Sequence, residues 1–336
     1  MSARVHGVAA AALATAGLVA GITARRADAR RLARRTTGSS PSVRTDDGLR
    51  LHVEVAGEIA APTVVLVHGI GADGTMFDPQ WTALRGRARL VRYDQRGHGA
   101  SGWAGGQAAT VARLGRDLGQ VVDQLGGDGP VVVAGHSMGG MAVLALADQR
   151  PELFGSRITG AALLSTRAAP LTGAERSSTP VTARARTGLS TGGAWLVWLT
   201  APLAGALHPF RSRPGQRLLR RQLFAGDPPE AAAQATYRMW AQTPAGVLAA
   251  YLRSLATYDQ RAAIAVLRAV PVLVLAGTED RTIPTRSAPR MAAQIGAGAE
   301  LVLVDGAGHM VNTTHPDTVN AALAALLDRV QAPTRT

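Results

Sequence analysis

The chain has 336 residues, 46% hydrophobic and 18% charged, which is apolar enough for one large buried core and excludes a disordered or fibrous protein. It has no cysteine, so disulfides, thiolate zinc sites and cysteine nucleophiles are ruled out. The net charge of +13 comes entirely from arginine on the basic side; seven arginines and one aspartate lie in residues 1–40, leaving +7 for the other 296 residues, with 4% aromatics, a distribution unlike a nucleic-acid surface.

Residues 5–24, from Val5 to Ala24, form a run about the length that crosses a bilayer. Alanine and glycine dominate it, and Arg25, Arg26, Arg30, Arg31, Arg34 and Arg35 follow. The charge order is the reverse of a secretory signal, although Ala27-Asp28-Ala29 offers a cleavage pattern. The expectation is a membrane-associated chain anchored through residues 5–24 with its large domain on the cytoplasmic side, where positive flanks stay; a soluble cytoplasmic or a secreted chain is the alternative. Residues 36–41 read as a linker.

Ser42 to Thr45, the turn Asp46-Asp47-Gly48 and the alternating Leu49 to Val55 predict a hairpin. Short runs apolar on both faces then recur at Val64 to Val67, Leu90 to Tyr93, Val131 to Ala134, Ala161 to Leu164, Val272 to Ala276 and Leu301 to Val304, as expected of a buried parallel sheet. Helical spacing at Thr110 to Leu125, Met138 to Gln149, Ser287 to Ile295 and Thr318 to Val330 gives a repeated β-α order. About a hundred residues between Leu164 and Val272 break that rhythm. They contain Trp195 and Trp198 and read as a helical insertion over the carboxyl edge of the sheet, where ligands bind in such folds. The division expected is residues 1–40 as anchor and linker, 41–165 with 262–332 as an α/β core, and 166–261 as the insertion.

Gly135-His136-Ser137-Met138-Gly139-Gly140 stands between a predicted strand and a predicted helix. A serine in G-x-S-x-G at that junction sits on a strained turn whose glycines allow close backbone approach. The Met138 amide, at the helix N-terminus, lies where an oxyanion would form. A serine hydroxyl needs a base, and His309, on the glycine loop after the last strand, is the best placed; His315, beside Pro316, is the runner-up. The base needs a carboxylate. Asp280, after the penultimate strand, is favoured over its neighbour Glu279 and completes the order Ser, Asp, His. A second oxyanion donor is expected from His68-Gly69-Ile70-Gly71 through the Ile70 amide.

A competing pattern is Gly69-Ile70-Gly71-Ala72-Asp73-Gly74, a formal G-x-G-x-x-G, with Asp94 twenty residues on where a ribose-binding acid would stand. It would make the chain a dinucleotide-dependent oxidoreductase, but leaves Ser137, Asp280 and His309 unexplained. Gly97, Gly99 and Gly102 form another match. No H-E-x-x-H or comparable spacing appears, so neither metal nor cofactor is expected.

Over roughly residues 42 to 330 these motifs resemble the α/β-hydrolase fold family. His68-Gly69 looks like its oxyanion loop, Tyr93-Asp94-Gln95-Arg96-Gly97-His98-Gly99-Ala100-Ser101 resembles its D-x-R-G-x-G-x-S segment, and Gly135 to Gly140 is similar to its elbow. The resemblance implies a mostly parallel central sheet flanked by helices, with a helical cap. It also implies Ser137 as nucleophile, Asp280 as acid, His309 as base, Ile70 and Met138 as oxyanion hole, and structural roles for Asp94 and Arg96. Members with an aspartate nucleophile open epoxides or cleave carbon–halogen bonds; serine at 137 points away from those. The expectation is an esterase or lipase-like hydrolase acting on a small, lipophilic ester, with lactonase or cofactor-free haloperoxidase or perhydrolase chemistry on the same three groups as alternatives.

Overall fold

The computed structural model describes residues 42–58, 61–169 and 209–332. The apolar run 5–24, the arginines after it, the linker and the Trp195 to Leu199 stretch lie outside the described residues. Among those described, no helix is long and apolar enough to cross a membrane.

Eight strands form one sheet: β1 (Ser42–Arg44), β2 (Arg50–Ala56), β3 (Thr63–Val67), β4 (Arg89–Tyr93), β5 (Val131–His136), β6 (Ile158–Leu164), β7 (Val272–Gly277) and β8 (Ala299–Val304). Their order is β1-β2-β4-β3-β5-β6-β7-β8. β2 runs antiparallel to β1 and β4, and every other pair is parallel. The chain therefore has the α/β-hydrolase fold. The inner strands have side chains buried on both faces, as the valine-, leucine- and alanine-rich runs of β3, β5 and β7 require. Along β3, Val65 and Val67 enter one core and Val64 and Leu66 the other, because successive side chains point to opposite faces.

Nine helices described flank or cap this sheet: α1 (Asp78–Ala83), α2 (Val111–Leu125), α3 (Met138–Gln149), α4 (Arg213–Leu223), α5 (Glu230–Gln242), α6 (Ala245–Ala256), α7 (Ser287–Ile295), α8 (Val311–Thr314) and α9 (Pro316–Gln331). Thr110 caps α2, its side chain accepting from the Arg113 amide, which satisfies one of the orphan donors of a helix start. α9 begins two residues before the expected Thr318 because proline is preorganised for the first turn.

One expectation needs correction. Leu301 to Val304 reads as a doubly buried strand, yet Leu301 and Leu303 are 39% and 45% exposed. β8 is the edge of the sheet, so its apolar residues do not acquire the second covering layer that inner strands have.

The described helices between β6 and β7, α4 to α6, pack against loops at the carboxyl ends of the strands. The Met310 amide donates to the Leu223 carbonyl at 3.1 Å, and the Tyr251 hydroxyl donates to the Arg96 carbonyl at 3.1 Å.

Candidate active site

β5 ends and α3 begins at Ser137, which holds a left-handed backbone, φ 52° and ψ −116°. For a non-glycine residue that conformation costs on the order of 1–3 kcal/mol and persists only where the surroundings enforce it. Here the enforcement is close packing. A side chain on Gly139 would overlap the Val67 carbonyl oxygen, and one on Gly135 would strike the backbone of Gly139 and Gly140. The Ser137 amide is held by the Leu164 carbonyl at 2.9 Å, and the Ser137 carbonyl accepts from the Thr166 hydroxyl at 2.7 Å.

The structure brings together three side chains from separate loops. The Ser137 hydroxyl donates to His309 Nε2 at 3.0 Å, and His309 Nδ1–H donates to Asp280 Oδ2 at 2.8 Å. All three residues are buried. The other oxygen of Asp280 accepts from the Thr282 and Ile283 amides at 2.7 and 2.8 Å. Burial would raise the Asp280 carboxyl, but the His309 ring and those two amides hold it below the ordinary carboxylate value. Glu279 is exposed. His315 instead pairs with the Thr314 hydroxyl at 2.9 Å and precedes α9.

The His68-Gly69-Ile70 loop lies beside the serine: a side chain on Gly69 would stand 3.2 Å from Ser137 Cβ. Among the described residues, neither the Ile70 nor the Met138 amide is hydrogen-bonded to a protein acceptor. Met138 opens α3, where the first amides have no intrahelical partner.

Several supporting contacts leave no signal in the sequence. His136 Nε2–H donates to the His309 carbonyl at 2.9 Å, and the two rings lie 4.8 Å apart. Burial lowers the His136 pKa to about 3, so it stays neutral and ties the His309 loop to the elbow. Gln95 grips the His68 loop twice, its amide donating to His68 Nε2 at 2.8 Å and its side chain to the His68 carbonyl at 2.5 Å. Trp240 of α5 covers Gly71, whose φ of 72° and missing Cβ allow the indole to approach; a Cβ there would lie 2.6 Å from the ring.

The dinucleotide pattern serves another purpose. Asp94 is buried and its two oxygens accept from the Gly74 and Ala100 amides at 2.8 and 2.7 Å, which leaves it tying two loops together. No helix opens within the first glycine run; a 3-10 turn begins only at Gly74. Gly99 belongs to the same knot, since a side chain there would overlap the Asp94 carboxylate. Among the described residues no three His, Cys, Asp or Glu side chains gather as a metal-ligand group.

A family model described as the alpha/beta hydrolase family matches residues 64–322. RutD of Caulobacter sp. (strain K31) is 42% identical over 108 residues, covering 32% of this chain and 40% of that relative; the match thus spans less than half of the relative's length. Epoxide hydrolase A of Mycobacterium tuberculosis is 28% identical over 320 residues, covering 84% of this chain and 95% of the relative. Among solved structures, a thermophilic esterase from Thermogutta terrifontis superposes with a TM-score of 0.68 at 26% identity, over 88% of this chain and 100% of that one.

Proposed function

The chain belongs to the alpha/beta hydrolase family, and from that premise we propose that it is a serine hydrolase cleaving lipophilic carboxylic esters through Ser137, His309 and Asp280. The observation that carries this is the unbroken hydrogen-bonded line from the Ser137 hydroxyl through the His309 ring to the Asp280 carboxylate. In the reaction Ser137 Oγ attacks the ester carbonyl carbon while its proton passes to His309 Nε2. The Ile70 and Met138 amides receive the oxyanion, a donor of this kind being worth about 3 kcal/mol in the transition state. The intermediate collapses to an acyl-serine, and the departing alcohol takes the proton from His309. Water then attacks the acyl carbon, giving its proton to His309, and the acid leaves as Ser137 recovers its hydrogen.

The esterase from Thermogutta terrifontis is a structural relative by its description. Epoxide hydrolase A is a relative in sequence, but the group at 137 here is a hydroxyl with a histidine acceptor, suited to acyl transfer. The apolar run 5–24 and the apolar stretches between β6 and β7 favour a lipophilic ester.

A panel of p-nitrophenyl esters of increasing chain length tests the reading. Hydrolysis should favour the longer chains. Absence of ester cleavage would count against it.

Attachment to a membrane through residues 5–24 rests on the sequence pattern. Fractionation of the full chain against a version lacking residues 1–40 tests it: the full chain is expected with membranes, and equal solubility of the two removes the anchor.

A further inference from the structure

α4 presents an unusual outer face. Leu219 and Leu223 are buried beneath it, while Arg213, Arg217, Leu218 and Arg221 are all exposed, as the 3.6-residue helical repeat places them on the side opposite the buried pair. Leu218 is 62% exposed, more than any other large apolar side chain described. The helix holds no acidic residue. Arg220 stands on the flank and pairs with Asp227 at 2.6 Å, so the outward cations are not neutralised from within the helix. Two of these placements are unfavourable in water: a cation in the first turn opposes the helix dipole, and a solvated leucine forgoes burial. An anionic boundary with an apolar interior relieves both.

α4 is also fastened to the site. The Arg281 guanidinium donates to the Arg221 carbonyl at 3.2 Å, and the Gln222 side chain donates to the Arg281 carbonyl at 2.8 Å, next in sequence to Asp280. The Met310 amide donates to the Leu223 carbonyl at 3.1 Å, one residue after His309. A surface that receives α4 is therefore held close to the loops of both residues.

We propose that the outer face of α4 docks the protein onto an anionic lipid surface, with Leu218 entering the acyl boundary and Arg213, Arg217 and Arg221 meeting the headgroups. Interfacial helices combine these two kinds of contact. Lipid is favoured over single-stranded nucleic acid because the face exposes an aliphatic side chain and no aromatic ring on which a base could stack. The docking does not depend on the reaction at Ser137.

The chain has no cysteine, so Leu218→Cys gives the full-length protein one attachment point for an environment-sensitive fluorophore. The label should report an apolar environment on vesicles of phosphatidylcholine mixed with phosphatidylglycerol, respond weakly to phosphatidylcholine alone, and lose the response as salt is raised. Adding Arg213→Gln, Arg217→Gln and Arg221→Gln should weaken engagement of this face with anionic vesicles, read from the label at 218 and so separate from attachment through residues 5–24, roughly a hundredfold, from about 1 kcal/mol per arginine near such a surface. Circular dichroism should show the variant folded, a check independent of activity. No response on anionic vesicles, an equal response on neutral ones, or a response that survives the triple change in a folded variant would each overturn the proposal. A response to single-stranded RNA without vesicles would reassign the face.

Discussion

Ser137→Ala is expected to end ester turnover and labelling by a fluorophosphonate while leaving the fold intact. Removing the nucleophile of a serine triad lowers kcat by about a millionfold, and the residual rate reflects binding and oxyanion stabilisation. The structure argues that so large a loss would be chemical. The left-handed backbone at 137 is imposed by Gly139 against β3, by Gly135 against the backbone of Gly139 and Gly140, and by the Leu164 carbonyl, and alanine keeps the backbone amide and Cβ that those contacts use. The Ser137 hydroxyl donates to His309 and to no other described group, so its loss leaves a single imidazole nitrogen without a partner. Measured side by side, the variant should show the parent's thermal midpoint within a few degrees and no covalent adduct by intact mass. Turnover retained within tenfold, or an adduct forming on the variant, would move the nucleophile elsewhere.

Asp117→Ala is expected to remove about 3–5 kcal/mol of stability, the usual result of deleting one partner of a buried ion pair. Arg96 is fully buried, its Nε and Nη2 donating to the two Asp117 oxygens at 2.5 and 2.7 Å, while Nη1 reaches Asp47 at 3.0 Å. Without Asp117 the guanidinium keeps only the partly exposed Asp47 and has no route to water. Domains are stable by about 5–15 kcal/mol in all, so a fifth or more of the total is at stake. Urea unfolding read by circular dichroism checks it. A loss below about 1 kcal/mol would mean that Asp47 alone compensates the charge. The same knot limits acid tolerance. Burial pushes the Asp47 carboxyl up, but hydrogen bonds from Arg96 and Thr45 prevail and hold it well below the usual carboxylate range. That contribution is present above the unfolded carboxylate pKa and disappears as pH falls through the lower folded value.

The elbow could be read early because its signals are local. A strand, a left-handed serine and a helix occupy adjacent residues, and the glycines at 135, 139 and 140 leave direct traces of close packing in the chain. The order of Ser137, Asp280 and His309 was legible for the same reason, as each follows a recognisable strand. The sequence favours Asp280 over Glu279 without fixing it, since neighbouring side chains at a turn differ in the direction they leave it. The Thr282 and Ile283 amides settle that direction by binding the other oxygen of Asp280. Asp94 is a case where two readings competed: its spacing from the glycines fits a ribose-binding acid, the resemblance implies a structural role, and in the folded loops two amides hold it in the structural one.

From sequence alone came the α/β order, the elbow and the loops that had to meet, because periodicity and glycine placement act through bonded neighbours. Tertiary structure alone decided that His136 holds the His309 carbonyl, that Gln95 clamps His68, that Trp240 covers Gly71 and that Leu301 and Leu303 face outward. These depend on which strand lies at the edge of the sheet and on contacts between residues up to 173 positions apart, and a hydrogen bond across such a gap is set by the packing of every element between its ends.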